Sequence, residues 1–223
     1  MIDPRLLQLC DSAFPAGAFS HSFGLETAVL ERGLRDAGRV RAWIESYVCR
    51  TAATLDARAI ALFVAGREPL DALDEALAAA LFAPDLRAAT RRLARATLDA
   101  YDAMGLRDGG IQAYGAALAE GRAHGHHALA CALGYRAIGA NAADAACAYL
   151  SSTAGTLAAA AVRAIPLGQR DAGRLLWSMR EPIAAAARGA AAARSLEDLT
   201  ASAIDCEIDA MRHHALDGRL FAS

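Results

Sequence analysis

The densest concentration of metal-binding chemistry in this chain is His124-Gly125-His126-His127. Three neutral imidazoles suit a borderline metal such as nickel or zinc. No Asp, Glu or Cys stands beside them to complete a shell, and Gly125 marks a loop. The same residues therefore also read as structural, with His126 capping the helix that follows. A second pair, His213-His214, offers less, because neighbours on a helix point about 100° apart and do not readily share an ion. Its expected arrangement is one buried and one exposed ring near a helix C-terminus, where the dipole favours an imidazole. Ser20-His21-Ser22-Phe23-Gly24 approximates a nucleophile elbow, yet Ser20 stands where that motif needs glycine and no strand precedes it. The expected role of Ser20 or Ser22 is instead the N-cap of the next helix, with Glu26 in its early turns facing the positive end of the dipole.

All 23 basic residues are arginine, and lysine is absent. That excludes a Walker A phosphate loop, Schiff-base chemistry and a Ser-Lys pair. Arg87, Arg91 and Arg95 recur at four-residue spacing and share one helical face. Such a face is expected to be solvated, although guanidinium groups also suit an acidic partner. The five cysteines are odd in number and lack CxxC spacing, which argues against a disulfide framework or structural zinc and for small core residues in a reducing compartment.

Three segments break the helical pattern. Phe14 to Glu26 carries Pro15, Gly17 and Gly24 as punctuation and Phe14 and Phe19 as large apolar groups on a loop. Such a loop either plugs the core or presents a binding surface. Ile165-Pro166-Leu167-Gly168-Gln169 reads as an interhelical turn. Arg219-Leu220-Phe221-Ala222-Ser223 is an apolar and basic segment, costly to leave in water, that folds back on its own chain or inserts into another.

The elements that must position these residues are helices. Alanine makes up about a quarter of the sequence and favours helix, and 3.6-residue periodicity dominates throughout. Helices are expected after Pro4, from Ser22 to Gly33, and after Asp36, where Val40, Trp43, Ile44, Tyr47 and Val48 form one stripe. Others are expected over 56–64, after Pro69, from Pro84 to Met104, between Gly110 and Gly121, and over 127–138. Asn141, with Asp144 three residues on, caps a helix reaching Arg163; a further one spans 169–188, and Ser195 with Asp198 opens the last. Residues 1–223 thus read as one all-α domain, a helical bundle of about ten helices. The net charge of −2 gives no reason to expect nucleic acid or an acidic membrane as partner. No signal peptide and no run of 18 apolar residues is evident, so the cytoplasm is the expected location.

Taken in register, Leu6-Leu7-Gln8-Leu9, the Phe14–Glu26 loop, the Ala164–Gln169 turn and the C-terminal Met211-Arg212-His213-His214 and Arg219–Ser223 resemble the urease accessory protein UreF family, from about residue 4 onward. The resemblance implies the same all-α fold. It also implies a non-catalytic assembly factor that joins UreD (also called UreH) and the GTPase UreG in the complex delivering nickel to apo-urease, with homodimerisation as the family habit. Nickel would be handled by that complex, with no cofactor or metal site assigned to this chain. The residues it marks for partner binding are Phe19, Ser20, His21, Ser22, Gly24, Glu26, Gln169, Arg219, Leu220, Phe221 and Ser223. The sequence departs from the family pattern at His214, where an acid is usual, and at Ala222, where arginine is usual, so one charge-assisted contact is expected to be missing. Two other functions stay open on the residues: a regulator of the UreG GTPase cycle acting through an arginine or by gating, and a small-molecule enzyme whose histidine clusters would have to meet in one pocket.

Overall fold

The protein was described from a computed structural model, which covers residues 3–11 and 14–223. Twelve α-helices occur among these residues: α1 (Pro4–Leu9), α2 (Leu25–Arg32), α3 (Ala37–Tyr47), α4 (Asp56–Val64), α5 (Leu70–Ala80), α6 (Pro84–Ala103), α7 (Gly109–Ala119), α8 (His127–Ala137), α9 (Ala142–Ala164), α10 (Gln169–Ser178), α11 (Arg180–Ala191) and α12 (Ile204–Arg212). The fold is all-α, as the periodicity requires. Asp3, Asp36, Asp108 and Asn141 each accept a backbone N–H at a helix start, and Pro4 and Pro84 occupy first turns, where a missing N–H costs nothing.

α9 is the central helix. It packs against α4, α10 and α11, while α8 lies between α4 and α6. One contiguous hydrophobic cluster runs from Leu9 to Phe221. α9 is also long and apolar enough to cross a membrane, but over half of its most apolar stretch is buried inside the protein. Its composition follows from that burial: alanines at close helix–helix contacts keep the neighbouring axes near.

Two expected boundaries move. The segment 169–188 breaks at Met179 into α10 and α11. Ser195 and Asp198 do form a capping box, but it opens only a single 3-10 turn over Leu196–Asp198. The next residues run extended because their amides find other partners. Thr200 donates to the Thr54 carbonyl (3.0 Å) and Ser202 to the Arg50 carbonyl (2.9 Å), beside the π-helical turn Val48–Ala52. The last helix therefore starts at Ile204.

Candidate functional site

The N-terminal loop and the C-terminal segment, some 200 residues apart in sequence, form one structure. The Ala222 amide donates to the Ser20 carbonyl (2.8 Å), and the main-chain oxygen of Ser223 accepts from the Ser22 and Phe23 amides (2.7 and 3.2 Å). That oxygen also accepts from the Ser22 hydroxyl (2.9 Å), and His21 Nδ1 meets Ser223 Oγ at 2.8 Å. Glu26, in the first turn of α2, accepts the Leu220 amide on Oε1 (2.6 Å) and the Phe221 amide on Oε2 (3.2 Å). The loop is thus a cradle and residues 219–223 its occupant.

The cradle has a specific cause in the backbone. Phe23 (φ 53°) and Gly24 (φ 96°) both adopt left-handed conformations, which turns consecutive amides toward Ser223. Gly24 is required twice over, since a Cβ there would lie 2.6 Å from the Ala210 amide nitrogen of α12. α12 is pinned in turn by Asp209, which is buried and accepts from Trp43 Nε1 (2.8 Å) and Arg32 (2.8 Å). Burial pushes the Asp209 carboxyl up, against the pull of Trp43 and Arg32.

Beneath the cradle lies His213, fully buried, with Nε2 3.0 Å from Glu26 Oε2 and Nδ1 3.2 Å from Asp85 Oδ2. A neutral ring satisfies only one of these acceptors; the doubly protonated ring satisfies both. Arg219 also donates to Asp85 Oδ2 (2.9 Å), so one carboxylate at the start of α6 holds both the histidine and the tail. From the other side, Arg163 at the end of α9 donates to the Phe19 carbonyl and lies over the buried Phe221 ring, 4.4 Å from its centroid. Burial lowers the His21 pKa to about 4, with the Arg92 and His213 charges adding to the effect.

Ten of the eleven residues marked for partner binding therefore meet in this one place, but with different accessibility. Phe19, Arg219 and Leu220 are exposed and Ser20 half-buried, whereas His21, Ser22, Gly24, Glu26, Phe221 and Ser223 are buried. Gln169 stands apart, exposed at the start of α10. Ser22 reaches the α2 N-terminus only weakly, accepting from Glu26 N–H at 3.4 Å, because the left-handed turn intervenes. Neither Ser20 nor Ser22 hydrogen-bonds His21 among the described residues; Ser20 donates to the Gly17 carbonyl instead. Asp85 and Arg163 went unmarked, and no local spacing would reveal them: Asp85 reaches His213 across 128 residues of sequence.

The histidines near residue 125 are fixed by the protein rather than gathered on one point. Asp74, buried, accepts the backbone amides of His124 and His126 (2.6 and 3.2 Å) and the Tyr114 hydroxyl (2.7 Å). His124 turns outward to Glu75 (2.8 Å), His126 caps α8 through the Ala128 amide, and half-buried His127 lies beside Cys131 Sγ (3.4 Å). Burial takes the His127 pKa down to about 3. His126 and His127 line one cavity with Asp56, and His213 is outside that lining, so the two histidine clusters do not meet in that cavity. Among the described residues no three His, Cys, Asp or Glu side chains form a metal-holding group. Exposed His214 hydrogen-bonds the Met211 carbonyl. The arginine face of α6 is not simply solvated: Arg91 and Arg95 both donate to the Leu118 carbonyl in the last turn of α7 (3.3 Å each), where a cation favours the dipole.

The sequence model of the UreF family matches residues 34–180. Across 98% of this chain and 96% of its own length, the urease accessory protein UreF of Paenarthrobacter aurescens (strain TC1) is 33% identical. The protein of the same name from Arthrobacter sp. (strain FB24) is 35% identical over 98% of this chain and 96% of its own. That of Corynebacterium glutamicum (strain R) is 33% identical over 99% and 98%. Identity of this degree over nearly the whole length places the chain in the UreF family of urease accessory proteins.

Proposed function

We propose that this chain is a urease maturation factor that works by docking neighbours. It bridges UreD/UreH and the GTPase UreG in the cytoplasmic complex that delivers nickel to apo-urease, and it makes or breaks no bonds itself. The observation that carries this reading is the end-to-end similarity to proteins named urease accessory protein UreF. The chemistry of the chain is in keeping with it: lysine is absent, so a P-loop of its own is excluded, and nucleotide and metal handling fall to partners. A rigid helical body that holds two proteins together raises their effective concentration without new chemistry. A homodimer would present two copies of UreG to each other.

In this reading the exposed Phe19, Arg219 and Leu220 are what a partner meets first, and the tail is the segment UreD takes up. Residues 219–223 lie on their own cradle, so UreD must offer better contacts than Glu26 and the Ser22–Phe23 amides do. The test is co-purification of the full chain with UreD and UreG, repeated after removing residues 219–223. Cutting before Met211 would also remove buried His213 and confuse docking with folding. Loss of UreD capture by the shorter truncation is expected; undiminished capture would refute the tail assignment. Single-turnover GTP hydrolysis by UreG with and without the chain tests the arginine-finger alternative, and an unchanged rate eliminates it.

A further inference from the structure

A narrow cavity of about 70 Å³, partly open to solvent, lies between the start of α6, α12 and the π-turn after α3. Its walls are apolar, with Phe23, Leu55, Leu86 and Leu93 among them. Among the polar side chains on its walls, four are not fully paired within the protein. Asp56, 8% exposed, spends Oδ2 on the Tyr149 hydroxyl (2.9 Å), while its Oδ1 is 3.8 Å from His126 Nε2, beyond hydrogen-bond reach. Thr51 Oγ1 and Glu207 Oε1 are shielded from water and have no hydrogen-bond partner among the described residues. The hydroxyl of Tyr47, 7% exposed, also makes no hydrogen bond among the described residues.

The imbalance has a sign. Ionised Asp56 and Glu207 can only accept, and Tyr47 and Thr51 can turn to either role. His127, its pKa lowered to about 3, brings no charge. Glu207 has no ion pair among the described residues, and none of the 23 arginines lines the cavity. Burial pushes both carboxyls up; at Asp56 the neighbouring His126 pulls the other way, whereas at Glu207 nothing offsets the burial. Water would satisfy hydrogen bonds there but supply no counter-charge. At the mouth, Phe82 is 65% and Met211 39% exposed, and both line the opening. A small free amine would leave that rim in water, whereas a protein surface would cover it.

We infer that this cavity is a socket for one basic side chain of a partner protein, with the aliphatic stem along the apolar walls, the cationic head at Asp56 and Glu207, and the partner's surface closing over Phe82 and Met211. The inference rests on the reading of the chain as a docking factor. It gives the assembly a second anchor, separate from the loop and tail, with the character of a desolvated interface hot spot.

The probes are Nα-acetyl-lysine methylamide, its arginine counterpart and uncharged Nα-acetyl-norleucine methylamide, titrated into the full chain by NMR. Saturable shifts confined to residues 47–56 and 207–211 are expected with a basic probe and not with norleucine, and Glu207→Gln should weaken binding at least about tenfold. Glu207→Gln keeps the side chain's shape and removes a charge that has no partner among the described residues, so the fold should survive; Thr51→Val is the second variant. In co-purification, Glu207→Gln should weaken capture of UreD or UreG by a similar factor while residues 219–223 stay docked. Equal binding of lysine and norleucine probes would overturn the socket. A basic probe that binds, with partner capture untouched by Glu207→Gln, would overturn the partner assignment and leave a free-amine site. If the wild-type chain captures neither partner, the accessory reading fails on its own, and the probes still decide the chemistry of the cavity.

Discussion

Glu26 is the residue on which the cradle turns, since its two oxygens meet two tail amides and a buried imidazole. Glu26→Ala should leave His213 and both amides without their partner and cost about 3 kcal/mol, the range for breaking a buried charged contact. Hydrogen exchange at Leu220 and Phe221 should then accelerate at least about tenfold, measured against unchanged exchange in α4. The histidines make a separate prediction. His21 and His127 stay neutral when folded, with pKa values lowered to about 4 and about 3. The unfolded rings take up a proton near pH 6.5, well before the folded ones. Stability from this source is therefore complete above that pH and is lost as pH falls toward the folded values. Between pH 7 and pH 5, His127 alone should account for a loss of about 2 kcal/mol in denaturant titrations, and His127→Gln should flatten the slope by about half. The raised carboxyls of Asp56, Glu207 and Asp209 act with the opposite sign, in the carboxylate range at lower pH.

At the scale of elements, the helices were legible because their signals are local. Asp36, Asn141 and Pro84 stand where caps and first turns need them, and the stripe from Val40 to Val48 is the buried face of α3. The misread element shows the limit. Ser195 and Asp198 make the expected box, but whether a helix continues depends on Thr54 and Arg50, some 150 residues away, which claim the next amides. The site was half legible in the same way: loop and tail stood out by composition, and their mutual docking depends on Asp85, Arg163 and Ala210, which nothing in their own neighbourhoods marks. Two substitutions test these joints. Gly24→Ala should cost about 2–4 kcal/mol, from the left-handed backbone and the collision with α12, whereas Gly33→Ala (φ 66°, open space) should cost about 1 kcal/mol. Asp74→Ala strips the acceptor shared by Tyr114 and the amides before α8, and an unfolding free energy lower by about 2–3 kcal/mol is expected in urea titration.

For the whole molecule, the arrangement is a helical body with one segment, residues 219–223, held by hydrogen bonds, the Arg219–Asp85 ion pair and a single ring, Phe221, that joins the core. Under the proposed docking role, this segment would leave its cradle for a partner while α4, α8 and α9 keep their packing. The most direct measurement is the mass of the assembly formed when the chain, UreD and UreG are mixed, with the chain present or omitted. One particle containing all three is expected with the chain, and no UreD–UreG particle without it. A UreD–UreG particle that forms equally well in its absence would contradict the bridging role.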